Sequence, residues 1–159
     1  MANIKLKDYL KTHHKSYISH KIERTDFVKY LQNLRVAYAQ ILEAVKTNAT
    51  EENIKNTVIN FIKNTFYNER KDIQINAFNN IDYAIKKNDN IEVIMEFKKP
   101  SNKAEMITCD NLNKKALHEA IKYFYDEKHK GNYHIKNIII SDGISYFIFN
   151  PLQFQHKSL

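Results

Sequence analysis

Apolar residues recur at two spacings along this chain, and the change from one to the other divides it. Thr25 and Asp26 offer an N-cap before Phe27, Leu31, Leu34, Val36, Ile41 and Val45, whose spacing predicts a helix with an apolar stripe. A break follows at Asn48 to Thr50. Thr50 can cap a second helix in which Ile54, Val58, Phe61 and Ile62 recur at helical spacing, ending near Tyr67 and Asn68. Beyond Lys71 the period shortens to two: Ile73, Ile75 and Ala77 alternate with polar residues, as a half-buried strand requires. Strands are expected from Ile81 to Lys87 and, after the turn Asn88-Asp89-Asn90, from Ile91 to Lys98, where Pro100 ends the ladder. A loop over 100–111 leads to a helix from Asn113 to Lys128 with Leu117, Ala120, Ile121 and Phe124 on one stripe, closed at Gly131. Two last strands, Ile135 to Ser141 and Ser145 to Asn150, flank a hairpin turn at Asp142-Gly143.

This order of elements predicts an α/β fold: one mixed β-sheet flanked by helices, with a helical segment at the amino-terminal side. The 159 residues suit a single domain over 26–159, preceded by a basic arm or short helix over 1–25. Hydrophobic residues at 43% and charged residues at 27% indicate a chain that folds. With only two glycines and two prolines, its turns must rest on Asn and Asp. The single cysteine, Cys109, excludes an internal disulfide, and no leader pattern stands at the start, so a cytoplasmic location is expected. The longest apolar runs, Ile138 to Ile140 and Tyr146 to Phe149, are far short of the roughly 20 residues of a membrane span. A net charge of +7, with lysines from Lys5 to Lys157, draws the chain towards polyanions or simply solvates its surface. His13, His14 and His20 lack the spacing and partners of a zinc site, as does Cys109.

The chemistry concentrates between Asp82 and Lys99. A tight turn centred on Asp89 pairs residues whose numbers sum to 178, which sets Asp82 opposite Glu96. Opposed residues point to the same face, and Lys98, two positions on, shares it. Facing carboxylates repel, and a hard divalent cation such as Mg²⁺ would relieve them, taking carboxylate oxygens and filling its other positions with water and substrate phosphate. Lys98 would then hold the attacking water and stabilise charge developing on the phosphorus. A surface hairpin in which Lys98 merely pairs with Glu96 or Asp82 fits the same spacing.

The wider set of motifs resembles the PD-(D/E)xK nuclease superfamily. Glu51-Glu52-Asn53-Ile54-Lys55-Asn56, Ile81-Asp82-Tyr83-Ala84-Ile85, Glu96-Phe97-Lys98-Lys99-Pro100, Asn113-Lys114-Lys115-Ala116-Leu117-His118-Glu119 and Ser141-Asp142-Gly143 with Tyr146-Phe147-Ile148-Phe149 look like the amino-terminal nuclease domain of type IIG restriction-modification enzymes, over roughly residues 26 to 150. The resemblance implies a restriction-endonuclease-like core and Mg²⁺-dependent hydrolysis of double-stranded DNA to 5′-phosphate products, with Mn²⁺ able to substitute. It assigns Asp82, Glu96 and the Phe97 backbone carbonyl to the metal and Lys98 to the water and transition state. It also implies methyltransferase and target-recognition domains in a longer chain.

Further positions follow from the same resemblance. Glu51 is the candidate for an additional acidic residue on the preceding helix, since it shares the stripe of Ile54, Val58 and Ile62 while Glu52 is turned about 100° away. Both glutamates also suit a helix N-terminus on macrodipole grounds alone. His118 or Glu119 is placed to approach the site from the later helix, and Lys99, Lys114, Lys115 and Lys122 to touch DNA phosphates or merely face solvent. Two departures are Ile81 where Pro is common and Tyr146 where Trp is frequent. Asn150-Pro151-Leu152 is not an adenine-methylase motif. A noncatalytic nucleic-acid-binding or protein-binding module, and a junction resolvase or repair nuclease with the same core, remain as alternatives.

Overall fold

The computed structural model describes residues 23–154, the side chain of Gln153 excepted. Most of the expected arm, with His13, His14 and His20, lies outside the described residues, whereas Arg24 and Thr25 already belong to a helix. The chain divides into two compact units, 1–32 and 33–159, the division falling inside that helix, α1 (Arg24–Lys46). In the described part of the first unit, the rings of Phe27 and Tyr30 stack with centroids 6.3 Å apart.

The second unit has the expected mixed α/β character. After α1 come α2 (Glu51–Ile62), a π-helical turn (Lys63–Tyr67), β1 (Ile73–Phe78), β2 (Ile81–Lys87), β3 (Asn90–Phe97), α3 (Lys115–His129), β4 (Asn137–Ser141), β5 (Tyr146–Phe149) and a 3₁₀ turn (Pro151–Phe154). The strands lie in chain order. Neighbours are antiparallel except β3 and β4, which run parallel because α3 crosses between them. One face of the sheet buries Ala84, Ile94, Ile138 and Ile140 with Ala116, Leu117, Ala120 and Phe124 of α3. The other buries Ile75, Ile85, Met95 and Phe97 with Ile41 of α1 and Val58 and Ile59 of α2. Among the described residues no helix is long and apolar enough to cross a membrane.

Local chemistry explains the start of α2. Thr50 caps α2, its side chain accepting from the Asn53 N–H at 3.4 Å. α1 starts at Arg24, so Thr25 and Asp26 are first-turn residues and not caps. Of its apolar stripe only Ile41 is buried, beside Ala37; Phe27, Leu31, Leu34, Val36 and Val45 are exposed. Periodicity shows that a face is apolar, not what covers it. In β1 the alternation fails at Ala77, which is exposed, because the register shifts between Asn76 and Phe78. α3 begins at Lys115, two residues after the expected start, and β4 begins at Asn137 where Ile135 was expected.

The β4–β5 connection is longer than the anticipated two-residue turn. Ser141 pairs with Tyr146, and Asp142 Oδ1 accepts from Ile144 N (3.0 Å) and Ser145 N (2.7 Å). Gly143, at φ +85°, lies under α2: an added Cβ would stand 2.6 Å from Ile54 Cγ2. Gly143→Ala therefore carries both a steric and a conformational penalty. Thermal denaturation should show a loss of about 2 kcal/mol or more; an unchanged midpoint would mean that this turn does not press on α2.

Candidate functional site

The β2–β3 hairpin sets the site through two features that act in opposite directions. Asn88 and Asp89, at φ 49° and 67°, form a two-residue turn that pairs Lys87 with Asn90 and Lys86 with Ile91. Pairs beside the turn thus sum to 177, not 178. Glu92 is then left over as a bulge, and the register resumes as Ile85 with Val93 through Tyr83 with Met95. Continued by one residue, this sets Asp82 opposite Glu96, as expected. Without the bulge, Glu96 would oppose Ile81, and the two carboxylates would lie on opposite faces.

Beyond Met95 the ladder gives way to side-chain bonding. Asp82 Oδ2 accepts from the Phe97 N–H at 2.7 Å, and Lys98 N donates to Ser141 O at 3.0 Å, so β3 leaves the sheet held on both sides. Both helical layers reach this end of the sheet with their first turns. From α2, Lys55 Nζ lies 2.6 Å from Asp82 Oδ1 and 3.1 Å from Glu51 Oε1, and Glu51 Oε2 accepts from Lys99 N at 3.0 Å. From α3, Glu119 Oε2 lies 2.9 Å from Lys98 Nζ. Lys98 Nζ also bonds Glu96 Oε1.

Four carboxylates (Glu51, Asp82, Glu96, Glu119) surround two largely buried ammonium groups (Lys55, Lys98), with the exposed Lys115 beside Glu119. Glu96 bears the consequence, being only 3% exposed. Burial and the neighbouring Asp82 charge push its carboxyl up to about 8, the Lys98 bond offsetting only part, and Glu119 adds to the rise. Burial alone would pull Lys98 down, but its bonds to Glu96 and Glu119 prevail and hold it above the ordinary lysine range. Lys98 is therefore a permanent cation and hydrogen-bond donor, unsuited to act as a base. Lys55 is raised likewise: burial lowers it, and Asp82 and then Glu51 outweigh that.

Glu96 Oε2 is buried and has no hydrogen-bond partner. Such an oxygen calls for an explanation. Among the described residues no group of three or more His, Cys, Asp or Glu side chains is arranged to hold a metal ion. The expected set, however, has only two carboxylates, Asp82 and Glu96, with a backbone carbonyl. Mg²⁺ commonly takes one or two carboxylates and completes its shell with water and phosphate. A buried, unpartnered carboxylate oxygen whose ionisation is opposed by the neighbouring Asp82 charge fits such an ion.

The other expected positions fall out unevenly. Glu51 turns to the end of β3, whereas Glu52 is exposed and 3.9 Å from Lys55. Glu119 reaches Lys98, while His118 is exposed and bonds Asn113 at 2.8 Å. Lys99 Nζ is tied to Asn48 O at 2.9 Å, and Lys115 bonds Glu105 at 3.0 Å and stands 3.9 Å from Glu119. Lys122 is exposed one turn beyond Glu119, and Lys114 is the half-buried N-cap of α3. Lys55, named only within a motif, is central to the site. Its i, i+4 spacing from Glu51 was the available signal, and that spacing also describes an ordinary surface pair. Tyr123, one turn after Glu119, joins the surroundings: burial first and then the charge of Glu96 raise its phenol.

The chain belongs to the family described as a domain of unknown function, DUF7149, whose model matches residues 5–158. No curated protein and no solved structure matches it.

Proposed function

We propose that this member of the DUF7149 family is a divalent-cation-dependent endonuclease of the PD-(D/E)xK type, acting on double-stranded DNA as the cutting part of a restriction-modification enzyme. The observation that carries the reading is the meeting of Asp82 from β2 with Glu96 of β3 and Lys98 just beyond it, with one Glu96 oxygen buried and unpartnered. The mixed sheet between helices, with α3 joining the parallel β3 and β4, supports a restriction-endonuclease-like core.

Asp82, Glu96 and the Phe97 carbonyl would hold Mg²⁺, and Mn²⁺ would substitute. When bound, the ion supplies Lewis acidity to the scissile phosphate and lowers the pKa of water. The remaining roles belong to the chain. Lys98, fixed between Glu96 and Glu119, orients the attacking water as a donor and offsets the negative charge that grows on the phosphate. Glu119 is a positioning residue for Lys98. Glu51, held by Lys99 N and Lys55 and one-third exposed, would supply a further carboxylate for holding a water. Lys115 and Lys122 flank Glu119 on one side of α3, and with Lys99 and Lys114 would track the DNA backbone without reading sequence. Choice of sequence would rest with methyltransferase and target-recognition domains, so this chain by itself should nick with little selectivity.

Supercoiled plasmid tests the reading. Incubation with the chain and Mg²⁺ or Mn²⁺ should yield nicked circles bearing 5′-phosphates, and EDTA should abolish them. Intact plasmid at protein excess with either ion would contradict it.

A further inference from the structure

The nuclease reading gives Lys55 no part in the chemistry, although its side chain is only 12% exposed and its ammonium lies against two of the site's carboxylates. We propose that Lys55 is a built-in competitor of the divalent cation, closing the Asp82 carboxylate until substrate phosphate draws the ammonium away. The inference rests on that reading and concerns what controls the same site.

Both oxygens of Asp82 are committed. Oδ2 accepts from the Phe97 N–H, a backbone bond fixed by the strand, whereas Oδ1 is taken by Lys55 across 27 positions of sequence. A cation ligated through Oδ1 competes with the ammonium, since two positive charges at one oxygen repel strongly in a partly dry site. Lys55 can leave without moving the fold. Its stem is four carbons long, it springs from the first turns of α2, and exposed Glu52 stands 3.9 Å from its ammonium on the solvent side. A substrate phosphate beside the exposed Glu52 would offer the ammonium a stronger anchor than that glutamate. DNA and divalent ion would then favour each other's binding, by reciprocal linkage. A purely structural bridge between α2 and β2 predicts the opposite: its loss loosens Asp82 and weakens the ion.

Calorimetric titration of Mn²⁺ into wild type, Lys55→Met and Lys55→Arg, without DNA, separates the two. Lys55→Met should bind at least about tenfold more tightly than wild type, and Lys55→Arg, which keeps the charge, no more tightly. Should Lys55→Met not fold by circular dichroism, Lys55→Gln, neutral but able to bond Asp82, is measured in its place and should show the same gain. Equal or weaker binding by the neutral variant, with wild-type binding still dependent on Asp82 and Glu96, overturns the role of Lys55 and leaves the nuclease reading standing. Failure of wild type and neutral variant alike to bind Mn²⁺, in the absence and in the presence of an uncleavable duplex, overturns both.

Discussion

Glu96→Gln is expected to stabilise the metal-free protein at pH 8.5 by about 3 kcal/mol, at about 1.4 kcal/mol per pKa unit. The sign follows from the direction of the shift. The Glu96 carboxyl keeps its proton up to about 8 in the fold, against an ordinary value of 4.5. Its contribution is therefore complete below about pH 4.5 and is lost as pH rises through about 8. Glutamine is neutral throughout and nearly the same size, so it removes the cost of ionising a buried group beside Asp82. Loss of the charged partner of Lys98 offsets part of the gain. Denaturant unfolding in EDTA at pH 5.5 and 8.5 should show wild-type stability falling between the two, and the variant holding nearly constant. A variant less stable at pH 8.5, or a wild type indifferent to pH over this range, would mean that Glu96 is already ionised and fully paired.

Lys98→Ala should reduce DNA nicking by at least about 100-fold, the scale set by removing one preorganised donor from a developing anion. The residue is 7% exposed, so the substitution also leaves a void and deprives Glu96 and Glu119 of their shared ammonium. Lys98→Met fills the void without the charge. If Lys98 acts in the chemistry, both variants lose nicking while their divalent-ion affinity stays the same or rises, because one competing positive charge has gone. Undiminished single-turnover nicking by folded Lys98→Met would remove Lys98 from the mechanism.

How much of this was legible depends on which interactions set each feature. Alternation and turn residues placed the β2–β3 hairpin, and the register at Tyr83–Met95, carried on by one residue, is the one a simple hairpin suggests for Asp82 and Glu96. The agreement has an unanticipated origin, since the Asn88-Asp89 turn shifts the register one way and the Glu92 bulge restores it. Bulges are set by packing and twist, and nothing in the local residues marks Glu92. The same blindness affected Ala77 in β1. Glu51 could be preferred to Glu52 because helical geometry separates neighbours by about 100°, enough to decide which one faces a sheet. The choice between His118 and Glu119 was not legible for want of knowing where α3 crosses β3. Lys55 was missed for a related reason: its partner Asp82 is 27 residues away, and only tertiary packing brings α2 to the start of β2.

The central claim is that Asp82 and Glu96 together hold a divalent cation, and titration calorimetry of Mg²⁺ or Mn²⁺ into wild type, Asp82→Ala and Glu96→Ala tests it most directly. The account predicts heat of binding in wild type that disappears in both variants while each remains folded. Binding indifferent to both changes would place the ion elsewhere, and no binding by wild type, with or without an uncleavable DNA duplex, would contradict the metal-dependent site altogether.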